Sequence, residues 1–69
     1  MPDIIETNPK ILSGQPVIKG TRIPISRVLA LIGMNYTLIK MKKELPDLKK
    51  VTKKDILNIL SYYRNQIAN

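Results

Sequence analysis

The sequence predicts a mainly α domain: a three-helix, helix-turn-helix or homeodomain-like bundle behind a short N-terminal β-hairpin or extended arm. Three observations lead there. A chain of 69 residues suffices for one small domain. After Pro24, apolar residues recur at helical spacing in three successive stripes, the last of them the longest. Before Pro24, prolines and glycines break the chain into short β-prone pieces.

Residues 1–10 hold Pro2, Asp3, Asn8 and Pro9 without sustained periodicity, and read as an arm ahead of a single domain over 11–69. Ile4 and Ile5 are expected to dock on the core. Next, the β-prone pieces 11–12 and 17–18 flank a Ser-Gly-Gln-Pro turn. Pro16 confines the second piece to a sheet edge. An exposed edge carrying Val17 and Ile18 invites pairing with a second chain. That makes Val17, Ile18, Gly20, Thr21, Arg22 and Ile23 the candidate dimer or partner interface.

From Ile25 the period changes. Ile25, Val28, Leu29 and Ile32 give a short helix over 25–33, with Pro24 in its first turn or Ser26 as its cap, and Gly33 as its stop. A second helix starts near Thr37, places Leu38, Met41 and Leu45 on one face, and must end before Pro46. Pro46 to Val51 form a connecting turn. Thr52 and Asp55 are spaced as a capping box, opening a third helix over 53–66. Its apolar stripe is Ile56, Ile59, Leu60, Tyr63 and Ile67, opposite Lys54, Asn58, Ser61 and Asn65.

Composition removes most chemistry. Neither Cys nor His occurs, so disulfides, thiolate metal sites, the commonest metal ligand and any Ser-His or Cys-His pair are all unavailable. Gly14, Gly20 and Gly33 are too scattered for a phosphate-cradling loop, and the five carboxylates form no local pair. The expectation is a non-enzymatic protein with no metal and no cofactor. A domain of this size buries only about 60% of its unfolded surface, so a partner subunit is the expected source of extra stability. No apolar run approaches the roughly 20 residues of a membrane span. The acidic opening Met1-Pro2-Asp3-Ile4-Ile5-Glu6 lacks the basic and apolar regions of a signal peptide, which gives the expectation of a cytoplasmic protein.

Charge points to a partner. The net charge is +7. Residues 40–54 hold seven lysines (40, 42, 43, 49, 50, 53 and 54) against Glu44 and Asp47, a net +5 in one window. Clustered lysines are the footprint of a polyanion, because each one that neutralises a phosphate releases counterions. The plain alternative is a solvated, solubilising surface. Lys suits phosphate positioning better than base reading.

The candidate DNA-binding set is Lys42, Lys43, Lys49, Lys50, Thr52, Lys53, Lys54 and Asn58. Thr52 adds a hydroxyl at a helix N-terminus. Asn58 would face adenine if the third helix entered a major groove, or else is simply exposed. Gly20-Thr21-Arg22 either reaches a phosphate or only shapes a turn. The three tyrosines read as core or interface anchors, with Tyr63 alone on the clear apolar stripe.

The stretch Gly14-Gln15-Pro16-Val17-Ile18-Lys19-Gly20-Thr21-Arg22-Ile23-Pro24-Ile25 closely resembles the opening signature of domain-of-unknown-function family 433, small prokaryotic proteins regarded as antitoxin components of toxin–antitoxin pairs. Gly33, Pro46-Asp47-Leu48, Thr52-Lys53-Lys54-Asp55-Ile56 and Leu60-Ser61-Tyr62 extend the resemblance over about 8–63. It implies a helix-turn-helix or winged-helix-like fold, a homodimer, and a role in transcription regulation beside a nuclease-type toxin. Two departures stand out. The segment between Gly33 and Ile56 is about five residues longer than the family pattern, and lysines replace its glutamates. The expected function is an antitoxin-like DNA-binding regulator that also neutralises a cognate toxin. The alternatives are a protein-interaction module acting through 11–25 and the arm, or an RNA-associated basic protein.

Overall fold

The computed structural model describes residues 1–68, with side chains through Gln66. Strands β1 (Ile5–Glu6) and β2 (Val17–Ile18) precede helices α1 (Ile25–Gly33), α2 (Leu38–Glu44) and α3 (Lys53–Ala68). Short 3-10 turns occupy Leu12–Gly14 and Pro46–Leu48. Three helices and an antiparallel hairpin make the chain mainly helical, as expected. No described helix is long and apolar enough to cross a membrane.

The partner of β2 differs from the sequence expectation. β2 pairs antiparallel with β1, in the register Ile5↔Ile18 and Glu6↔Val17, and residues 11–12 form no strand. Leu12, Ser13 and Gly14 all take positive φ (48°, 57° and 85°), a left-handed run that turns the chain back instead of extending it. Asn8 anchors the start of this loop, its side-chain oxygen accepting from the Lys10 amide.

β2 is also not an edge. Its second side forms a bridge, Val17↔Pro24, in which the Ile18 amide donates to the Ile23 carbonyl and the Ile25 amide to the Pro16 carbonyl. Val17 and Pro24 are thus a pair that exchanges no hydrogen bonds directly, and the ladder runs through their neighbours. Neither Pro16 nor Pro24 is asked for the N–H it lacks. This is how a proline-flanked segment occupies the centre of a small sheet.

A tight turn closes the bridge. The Thr21 amide and hydroxyl both donate to the Ile18 carbonyl (2.9 and 2.8 Å), while the hydroxyl accepts from the Ile23 amide at 3.0 Å. Gly20 sits at φ +78° with open space where a Cβ would be, so its requirement is purely one of backbone angle.

Pro24 is the N-cap of α1 and offers no side-chain acceptor; Ser26 lies inside the helix. The buried face is Ile25, Val28 and Leu31, with Leu29 and Ile32 half-buried, so the stripe is rotated slightly from the expected one. Gly33 does not end the helix by a left-handed turn. Asn35 does, at φ 64°, with Tyr36 N–H donating to the Leu31 carbonyl and Asn35 N–H to the Ile32 carbonyl. That is a Schellman closure, in which Asn substitutes for Gly.

Thr37 caps α2, accepting from the Lys40 amide at 3.2 Å. The eight-residue connection from α2 to α3, residues 45–52, is longer than the three or four residues of a helix-turn-helix turn. It is nonetheless fixed, because Leu48 and Val51 are buried. The core joins Ile5, Ile18 and Ile23 to α1, Met41, this connection, and Ile56 and Ile59 of α3. Leu60, Tyr62 and Tyr63 pack against it, the two rings meeting edge-to-face at 5.2 Å. Burial, and secondarily Tyr62, raises the Tyr63 phenol above its ordinary pKa. Ile67, expected to end the stripe, lies outside the residues whose side chains are described. No polar or charged residue is buried among the described residues.

The turn at 18–23 yields a test. Thr21→Val keeps the shape but strands the Ile23 amide and should cost about 1–3 kcal/mol in urea unfolding, whereas Thr21→Ser should retain most stability. Gly20→Ala should cost about 1–2 kcal/mol through its backbone angle alone.

Candidate nucleic-acid interface

The lysine window folds into three consecutive parts. The first is the last turn of α2, with Lys42 and Lys43 beside the helix's negative end, where cations are locally favoured. The second is the connection, where Lys49 and Lys50 are exposed between the buried anchors Leu48 and Val51. The Lys42 ammonium donates to the Lys49 carbonyl at 3.2 Å and ties the first part to the second.

The third part is the start of α3. The Thr52 hydroxyl accepts from the Asp55 amide at 3.2 Å, and the Asp55 carboxylate accepts from the Thr52 amide at 3.0 Å. The capping box expected from the sequence is therefore formed, with Asp serving for Glu. Thr52 is occupied by this cap. Lys53 and Lys54 follow in the first turn, at the positive end of the helix dipole, where local stability would prefer acids. Two cations on a positive helix end concentrate positive potential at the surface and weaken the helix slightly.

Not all of the candidate set converges. Lys49 and Lys50 share a depression of about 440 Å³ with Lys19, Gly20, Thr21 and Asp47, floored by Ile18 and Val51. Lys54 and Asn58 lie instead on the outer face of α3, along a polar cleft with Pro2, Asp3, Ile4, Asp55 and Tyr62. Asp3 and Asp55 make that cleft a poor seat for a phosphate. Lys40, also in the window, stacks over the Tyr36 ring with its ammonium 4.4 Å from the centroid.

The interface set also divides. Val17, Ile18 and Ile23 belong to the monomer's own core, at 0%, 1% and 9% exposure, and both sides of β2 are paired. The exposed apolar edge expected there does not exist. Gly20 and Arg22 are exposed and Thr21 is half-exposed. Lys19 is the residue that the sequence reading passed over. It lies outside the lysine window, and its approach to Lys49 and Lys50 is a tertiary fact with no local signal.

The model of the family described as protein of unknown function (DUF433) matches residues 5–63, from β1 to the Tyr62–Tyr63 pair on α3. The chain belongs to this family. The matched span begins at Ile5, so the family pattern includes the strand that holds β2 in place. Among curated proteins, this DUF433 chain is similar to "Uncharacterized protein y4eO" of Sinorhizobium fredii (strain NBRC 101917 / NGR234), at 35% identity over 46 residues. The match covers 67% of this chain and 21% of that protein, so the chain spans about one-fifth of the relative's length. No solved structure matches.

The helix start makes opposing predictions for stability. Asp55→Ala removes half of the capping box and should cost about 1 kcal/mol in urea unfolding. Lys53→Glu should raise the unfolding midpoint, because it places an acid where the helix dipole favours one.

Proposed function

We propose that the protein is a non-enzymatic DNA-binding regulator of antitoxin type, whose affinity comes mainly from phosphate contacts. One observation carries this reading. Four exposed lysines (49, 50, 53 and 54) occupy a short, anchored stretch at a helix start, two of them against the helix's own electrostatic preference. Residues that oppose local stability are best accounted for by a partner that repays the cost. A polyanion does so through counterion release.

In this reading α2 and α3 act as a helix-turn-helix-like pair with an elongated turn. The basic connection and the first turn of α3 lie along the phosphate backbone, and Asn58, on the acid-lined cleft, is left out of the contact. The protein works as a homodimer, since such readers match two half-sites by two-fold symmetry. Binding of a cognate toxin is the second activity. It rests on the resemblance of the 14–25 signature to antitoxin components, and the relative of S. fredii adds nothing to it. The cytoplasm is the compartment where such a regulator acts.

A salt titration of DNA-duplex binding tests the reading. With four to five phosphates neutralised, affinity should fall with a log–log slope of roughly −4. Changing Lys49, Lys50, Lys53 and Lys54 together to Glu should abolish binding while the far-ultraviolet circular dichroism remains helical. Binding that ignores both salt and the substitution overturns the reading. Tighter binding to duplex RNA than to DNA at one salt concentration would move the assignment to RNA.

A further inference from the structure

We infer that the Lys19-Gly20-Thr21 turn is part of the phosphate-binding surface, and that Lys19 with Lys49 and Lys50 seats a backbone phosphate of the bound nucleic acid. This rests on the proposed polyanion reading and extends it to residues more than twenty-five positions away in sequence.

Charge balance sets one surface depression apart from its neighbours. The one between the signature turn and the basic connection is lined by three lysines, Lys19, Lys49 and Lys50, and a single acid, Asp47. The cleft along α3 sets Lys54 against two carboxylates, Asp3 and Asp55. The groove beside α1 sets Arg27 against Glu44. Only the first of the three has a cationic excess. On its other side Lys19 borders Asp3 and Glu6, so the anion must draw its flexible side chain toward Lys49 and Lys50.

Rigidity and access favour the same place. The turn is fixed by the three hydrogen bonds of Thr21, and the connection by Leu48, Val51 and the Lys42 tie. The floor is apolar and packed into the core, with Ile18 and Val51 at 1% and 2% exposure. Low-dielectric walls strengthen the attraction of the rim charges for an anion. At Gly20 nothing lies within 4 Å of where a Cβ would sit, so a strand can approach the turn backbone closely. A diester phosphate is a compact monoanion that needs this combination of separated donors and open approach. The structural role of Gly20 and Thr21 is thereby joined to a functional one: they fix the backbone from which Lys19 projects.

The test compares Lys19→Ala with Lys10→Ala, an exposed lysine on the 8–14 loop. Duplex affinity is measured across about 50–200 mM salt for both variants and for wild type. Lys19→Ala should weaken binding about three- to tenfold at the low end and reduce the magnitude of the salt slope by about one. Lys19→Arg should restore the slope, and Lys10→Ala should match wild type. If Lys19→Ala keeps the wild-type slope while the quadruple Glu variant loses binding, this inference is overturned and the polyanion reading stands. If wild type does not bind duplex, both fall.

Discussion

The rest of the molecule depends on β2 being held from both sides. Two residues, Val17 and Ile18, pair with Ile5–Glu6 on one flank and with Ile23–Pro24 on the other. So short a strand has little stability of its own. The Thr21 hydroxyl closes the 18–23 loop, and the carbonyl of Pro16 accepts the first amide of α1. The sheet therefore sets where the first helix begins and how it faces the core. With Ile18 buried, it also supplies the floor on which the basic connection rests.

That dependence explains how a 69-residue chain without cysteine, tryptophan or phenylalanine keeps a defined core. The core is built almost wholly from Ile, Val and Leu, with Met41 filling the α2 side. Stiff β-branched side chains at Ile5, Val17, Ile18, Ile23 and Ile25 lose little rotamer freedom on burial. The elongated α2–α3 connection joins the same scheme. Leu48 and Val51 anchor it, and the lysines between them are displayed on a fixed support. Stability and display are thus divided by position: every third residue of 45–52 (Leu45, Leu48 and Val51) holds the segment down, and the remainder face solvent.

The helices were largely legible from sequence because their causes are local. Periodicity located α1, α2 and α3, and the Thr52–Asp55 spacing located a cap that forms as expected. The sheet was legible only as β-prone pieces. Its β1–β2 pairing joins residues eleven to thirteen apart, and the left-handed run at 12–14 overrode the extended tendency of Leu12. The same limit governed the candidate site. Lysine density marked Lys49 to Lys54, but Lys19 joins them only through the fold. Asn58, adjacent in sequence, turns out to lie on an acid-lined cleft. Asn35 escaped notice as a helix stop because Gly33 offered the commoner signal two residues earlier.

In the proposed function, the signature turn, the basic connection and the start of α3 together receive a polyanion. Amide chemical-shift mapping during titration with a short DNA duplex tests it most directly. The account predicts perturbations at Lys19–Thr21, Lys49–Lys54 and the last turn of α2, falling away with added salt. Perturbations confined to the exposed apolar residues Met34 and Ile39, with the lysines unmoved, would contradict it.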